Sequence, residues 1–300
     1  MKRWFLVFYL IIITSCQSQD KQSTKFADSI NQKDLFKNLS VLASDSLQGR
    51  EAGKNGQKKA ARFIENKFKD FNLTPWISKN GEQVFVQKFI MHTKGVKKPF
   101  DLPMFLNKES DVDKNDLADY VETENVIGYI KGSEKENEYI IISAHYDHLG
   151  IQNDKIFNGA DDNASGTSAL LEIAEAFSIA LKNNHHPKRS IIFAAFTAEE
   201  KGLIGSRFFV EYPTLELSNI VANLNIDMVG RNGEDFIYVV GASIVTPMLQ
   251  EIIEDVNNKY VDLKLDYSLD DGVTPSSIYK RSDQYNFSRF GIPAVFFYCG

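Results

Sequence analysis

Short apolar runs separated by longer amphipathic stretches set the pattern of the second half of the chain. Residues 125–130, 139–144, 190–196, 220–226, 236–240 and 292–298 are rich in Val, Ile, Phe and Tyr and are predicted to be strands. Between them, residues 165–181 place Leu170, Leu171, Ala174 and Phe177 at helical spacing. Residues 202–212 and 246–260 are also predicted helices. In the first half, Leu35, Leu39 and Leu42 predict a helix over residues 34–42, followed by a polar loop at 44–50. Residues 56–71 carry Ala60, Phe63, Ile64, Phe68, Phe71 and the Lys67 stem on one helical face. Residues 82–92 alternate like a strand. Residues 94–119 are polar and weakly periodic, as in an irregular excursion or a small β insertion. Strands alternating with helices imply an α/β protein, a three-layer α/β/α arrangement around a mixed, mainly parallel central sheet.

Composition adds limits. With 300 residues, 43% hydrophobic and 25% charged, the chain can build a sizeable core. A net charge of -6 and no basic stripe interleaved with aromatics argue against a nucleic-acid partner. Lys2 and Arg3 precede an apolar stretch over residues 4–13, too short to span a bilayer as a stable helix. It ends in Ile13-Thr14-Ser15-Cys16, which resembles the signal of bacterial lipoproteins. The resemblance implies that residues 1–15 are a leader and that Cys16 carries lipid, anchoring the protein in the bacterial cell envelope without a spanning helix. Residues 16–33 are then a polar tether and 34–300 one domain. Cys299 is left without a partner, so no internal disulfide is expected.

Candidate chemistry lies where the predicted strands end. The run 139–144 leads directly into His145-Tyr146-Asp147-His148. A histidine at a strand end suits a metal ligand, and Asp147, two residues on, could accept its ring N–H. His148 points the other way and is given a hydrogen-bonding role. Asp161-Asp162-Asn163 precedes a long apolar helix. Taken alone, capping and the helix dipole account for acids there more readily than a metal does. Glu199-Glu200 follows the strand 190–196, where one carboxylate can bind metal while its neighbour moves a proton. Asp227 follows another strand. Each position alone has an ordinary structural explanation. Their recurrence at successive strand ends points to a metal centre, because open α/β sheets place their chemistry there.

Together these motifs, with Leu42-Ala43-Ser44-Asp45 and Gly49-Arg50-Glu51-Ala52-Gly53, resemble the co-catalytic zinc aminopeptidases. That family includes bacterial leucyl aminopeptidases, aminopeptidase Y and glutamate carboxypeptidase-like enzymes. The match runs from residue 35 to the end. It implies two zinc ions, with His145 and Asp227 on one, Glu200 on the other and Asp162 bridging them. It further implies Glu199 as general base, Asp147 orienting His145, and a cis peptide between Asp162 and Asn163. The implied activity is a zinc-dependent exopeptidase acting on peptides, most simply an aminopeptidase.

Two departures stand out. The family has a further histidine ligand shortly after the last core strand. Here the histidines are 92, 145, 148, 185 and 186, and none lies there. The expectation is that the domain lacks its C-terminal end; the alternative is a native protein with one tight metal or none. At Gln284 many members have histidine, which suggests altered hydrogen bonding or substrate contact, and the adjacent Asp283 is a candidate substrate neighbour. Two other readings use the same scaffold: a glutaminyl cyclase with one zinc, and a non-catalytic peptide-binding lipoprotein.

Overall fold

The computed structural model describes residues 24–79, 81–98, 103–106, 115–233, 235–245, 247–270 and 277–300. The expected leader, residues 1–15, and the lipidation site Cys16 lie outside them.

Ten strands form one sheet. They are β1 (Thr74–Pro75), β2 (Val86–His92), β3 (Phe105–Leu106), β4 (Tyr120–Ile130), β5 (Lys135–His145), β6 (Arg189–Phe196), β7 (Ile220–Ile226), β8 (Phe236–Val240), β9 (Lys264–Asp266) and β10 (Ala294–Tyr298). Their order is β9-β8-β10-β7-β5-β6-β4-β2-β3, with β1 paired to β4. Pairing is parallel through the centre, from β6 through β5 and β7 to β10, and again between β8 and β9. Antiparallel pairs carry the rest. The sheet is therefore mixed as expected, and its parallel part is the centre that bears the candidate site.

The helices that flank the sheet, among the described residues, include α1 (Gln32–Leu42), α2 (Asn55–Asp70), α3 (Gly166–Lys182), α4 (Ile204–Glu211), α5 (Pro247–Tyr260) and α6 (Gln284–Ser288). Side chains alternate across a strand, so β6 feeds two cores. Ile191, Phe193 and Ala195 pack with Ile64, Phe68, Leu170 and Leu171, beneath α2 and α3. Ile192, Ala194 and Phe196 pack with Phe209, Val210 and Phe287, beneath α4 and α6. Burying a side chain such as Phe193 or Leu170 contributes roughly 1.5–3 kcal/mol. On the first face α1 docks on α3 through Asn38 Nδ2, which donates to Glu172 Oε1 at 2.9 Å in the interior.

Three expectations need adjustment. The strand over 82–92 is two, Glu82–Val84 and β2. It breaks at Phe85, whose ring is buried and whose carbonyl accepts the Ile127 N–H at 2.7 Å. The tether assigned to residues 16–33 is partly packed. The Phe26 ring lies 5.1 Å from that of His185, tilted by 49°, and an apolar residue there has a face of α3 to cover. A hairpin, Gly150–Gln152 with Lys155–Phe157, follows β5. Asn153 and Asp154 turn it at positive φ, 49° and 60°, the conformation of a two-residue hairpin turn.

Candidate metal centre

Three neighbouring strands, β6, β5 and β7, point the same way and end together. His145 faces Phe196 across β5 and β6, and Ser143 faces Asn225 across β5 and β7. The next residues of each chain segment build the site. His145 is buried, and its carbonyl accepts from Thr167 Oγ1 at 2.8 Å, tying it to the start of α3. Beyond β6, Ala198 takes a φ of 56°, and Glu199 and Glu200 line a cleft of about 990 Å³ together with Asp162 and Asp227. The Asp162–Asn163 peptide is cis, as the family resemblance implies. The Asn163 side chain accepts from the N–H groups of Gly166 (2.8 Å) and Met228 (3.2 Å) and donates to the Ile226 carbonyl (3.0 Å). It therefore locks Asp162, at the entrance to α3, against Asp227, at the end of β7.

The ligand atoms form two groups that share one residue. His145 Nε2 lies 3.2 Å from Asp227 Oδ1 and 3.3 Å from Asp162 Oδ1. His148 Nδ1 lies 2.6 Å from Glu200 Oε1 and 3.9 Å from Asp162 Oδ2. In each group the candidate ligand atoms lie within 4.8 Å of one another. Asp162 thus turns a different oxygen to each histidine, the arrangement of a bridging carboxylate. Imidazole nitrogen with carboxylate oxygen suits zinc and similar borderline cations. The residues fit a metal on a second count: His148 Nδ1 and Glu200 Oε1 are buried and have no hydrogen-bond partner.

Electrostatics follow from burying several carboxylates around one ring. Burial depresses the basicity of His145, but Asp227 and Glu199, with Asp147 and Asp162, outweigh it and hold the ring well above the ordinary histidine range. A metal takes the neutral ring, so cation and proton compete for the same nitrogen. For Asp162 burial pushes upward, and His145, His148 and Arg50 pull its pKa below the usual value. Burial lifts Glu199 well above the usual carboxylate range; His145 opposes this while Asp227, Asp283 and Asp147 add to it. Glu199 Oε2 stands 4.0 Å from His145 Nε2 and belongs to neither ligand group.

All five residues expected as ligands or base, His145, Asp162, Glu199, Glu200 and Asp227, therefore converge. Asp147 faces His145 Nδ1 as expected, at ion-pair distance. Its carboxylate is 3.7 Å from His145 Nδ1, and its own main-chain carbonyl, at 3.3 Å, is the nearer acceptor. The chain leaves the strand after His145, yet Asp147 stays on the side of its ring. Its Oδ1 also accepts the Glu199 N–H at 3.1 Å, coupling the two strand ends. The same departure corrects His148, which was expected to point away and instead faces Glu200 and Asp162. Asp283 is a further correction: it lies fully buried beneath the site, held by Ser206 Oγ, and does not line the cleft. Gln284 is buried as well, donating to the Tyr279 carbonyl at 2.6 Å, so it supports the fold and touches no substrate space.

Two residues escaped the sequence reading. Ser282 Oγ donates to Asp227 Oδ2 at 2.7 Å and is itself held by Asn225 Nδ2 at 2.8 Å. No periodicity marks such a long-range contact. Arg50, fully buried, donates to the carbonyls of Tyr146 (2.7 Å), Asn158 (2.7 Å), Gly159 (2.9 Å) and Leu42. Its signal was the Gly49-Arg50-Glu51-Ala52-Gly53 segment, noted for its resemblance alone.

Comparison with known proteins agrees with this geometry. Residues 125–299, more than half of the chain, match the model of peptidase family M28. The probable glutamate carboxypeptidase AMP1 of Arabidopsis thaliana is 38% identical over 133 residues, covering 44% of this chain and 17% of the relative. Aminopeptidase YwaD of Bacillus subtilis is 30% identical over 201 residues, covering 65% of this chain and 40% of the relative. The chain thus aligns with less than half the length of these curated relatives. Among solved structures, the zinc aminopeptidase BSAP from Bacillus subtilis superimposes with a TM-score of 0.62 at 20% identity, over 90% of this chain and 85% of that one. A glutaminyl cyclase from Porphyromonas gingivalis gives 0.59 at 16% identity, over 90% and 83%. At such identities the structural likeness establishes the fold, and the family match carries the assignment: the chain belongs to peptidase family M28.

Proposed function

We propose that this protein is a zinc-dependent exopeptidase, in the first instance an aminopeptidase that releases N-terminal residues. The observation that carries the reading is Asp162, which turns one oxygen to His145 and the other to His148, beside a glutamate that neither group uses. His145, Asp162 and Asp227 would hold one zinc, and Asp162 with Glu200 would contribute to a second. Zinc bound there would acidify a water and polarise the substrate carbonyl. The chain's own residues do the rest. Glu199 takes a proton from the attacking water at its carboxylate and returns it to the leaving nitrogen. Its burial favours holding that proton between the two transfers. Asp147, through the Glu199 N–H, fixes the position of the base. Phe296 and Tyr298 give the cleft an apolar wall for a substrate side chain.

A second substrate reading has its own support. Lys94, Lys97, Lys280 and Arg281 also line the cleft. A basic rim favours substrates that bring a carboxylate, as in the release of a C-terminal acidic residue. The name of the Arabidopsis relative points the same way. Hydrolysis of leucine amide beside a peptide ending in glutamate separates the two. Ring closure of an N-terminal glutaminyl peptide would favour the cyclase, whose single zinc leaves the second ligand group without a use. By the lipoprotein-like sequence at Cys16, we also propose that the protein is lipid-anchored in the cell envelope.

The decisive experiment is Glu199→Gln. The zinc-to-protein ratio should stay as in the wild type while turnover falls by about 10²-fold or more. Chelation should abolish wild-type activity, and zinc should restore it. Full activity in Glu199→Gln would sink the mechanism.

A further inference from the structure

We propose that His148 is itself a metal ligand, completing with Asp162 and Glu200 the second of two adjacent sites. The proposal rests on the two-metal reading above and adds a ligand that the motif comparison did not supply. The family resemblance takes the third ligand of that site from beyond the last strand; here His148, three residues past the end of β5, stands against Glu200 and Asp162.

Three observations converge. First, His148 Nδ1 and Glu200 Oε1 stand 2.6 Å apart, yet both are buried and neither makes a hydrogen bond. The carboxylate oxygen therefore lies off the axis of any ring N–H. Two electron-pair donors brought together without a shared proton are what a cation between them requires. Leaving both unpaired in the interior is costly, and coordination would offset that cost. Second, the ring is fixed before any ligand arrives. The main-chain N–H of His148 donates to the Arg50 carbonyl at 3.3 Å. The ring lies so close to Gly159 that a Cβ there would fall 2.5 Å from His148 Cγ and 2.6 Å from Cδ2. Gly159 has a φ of 57°, and its carbonyl is held by Arg50. Arg50 thus fixes both walls of the histidine. Third, Asp162 Oδ2 lies on the His148 side while Oδ1 lies on the His145 side, so one carboxylate serves both groups. Three protein ligands leave a coordination position open, as catalytic zinc sites do. The competing role for His148 is a buried ion pair with Glu200, which needs no metal.

The test uses the full chain and zinc or cobalt alone. Zinc content after gel filtration, and zinc affinity by chelator competition, are measured for wild type, His148→Ala and His148→Cys. The wild type should hold two zinc ions. His148→Ala should keep one at wild-type affinity and bind the other at least 10-fold more weakly. His148→Cys, loaded with cobalt, should show a thiolate-to-cobalt charge-transfer absorption absent from the wild type, which carries Cys299 as common background. Where the alanine variant is unfolded by circular dichroism, the cysteine variant decides. Two zinc ions at unchanged affinity in His148→Ala, with no such absorption in His148→Cys, would overturn the role of His148 and leave the peptidase reading intact. A wild type that holds one zinc and is active would also overturn it. A wild type that binds no zinc would remove the metal-dependent function itself.

Discussion

Asp283 lies close enough to the site to feel His145, Asp227 and Asp147, yet it is fully buried, with Oδ1 held by Ser206 and Oδ2 unpartnered. Burial raises its pKa from 3.8 to about 7, with His145 and Ser206 opposing and the neighbouring carboxylates adding. Between those two values the unfolded chain gives up a proton that the folded chain keeps. Stability therefore falls as pH rises through that window and levels off above it. Asparagine has the same shape and does not titrate. Metal-free Asp283→Asn should match the wild type near pH 4 and exceed it by about 1–3 kcal/mol at pH 8 in urea denaturation. An equal difference at both pH values would show that ionisation of Asp283 does not matter. At this scale His145, Glu199, Glu200 and Asp227 were legible as chemistry at strand ends, and Asp162 as an acid ahead of a long helix. The orientations of His148 and Asp283 were not, because each depends on where the backbone leaves regular structure.

The elements are held in mutual position by a few buried polar groups, Arg50 foremost. Its guanidinium joins the end of α1, the segment after β5, and the turn before Asp162. Burial lowers its pKa from 12.5 to about 10, which leaves it charged at neutral pH. Methionine of similar length would leave those carbonyls unpaired. Arg50→Met should cost about 3–5 kcal/mol in urea denaturation. Arg50→Lys should recover only part of that, since an ammonium cannot reproduce the planar fork. A loss under 1 kcal/mol in Arg50→Met would contradict this role. The long helices and central strands were readable because their periodicity reflects one buried face. The hairpin after β5 and the short strand β9 carry too few residues for a period to show. Their stability comes from neighbours. For the hairpin, Asn153-Asp154 was the available sign.

At the scale of the molecule, the parallel centre brings Asp162, Glu199, Glu200 and Asp227 to one end of the sheet. Their mutual repulsion opposes folding until cations neutralise it. Free zinc at about 100 times its dissociation constant should stabilise the fold by about 2.7 kcal/mol. Calorimetry should show a Tm several degrees higher with zinc than with chelator. An unchanged Tm would argue against a metal centre. On the proposed lipid anchor, Cys16→Ser expressed in a bacterium should move the protein from the membrane fraction to the soluble fraction; retention at the membrane would exclude lipid on Cys16 as the anchor.

The sequence by itself determined the α/β class, the run of strands and helices, and the identity of the metal-binding chemistry. Those depend on local periodicity and on the recurrence of acidic and histidine residues along one chain, each of which alone has an ordinary explanation. Tertiary structure alone decided which strands are neighbours and that Asp162 faces two histidines. It alone decided that His148 turns inward and that Asp283 lies under the site. Each of these is a contact between segments far apart in the chain. The spacing of residues along one segment carries no information about the direction a side chain takes once another segment packs against it.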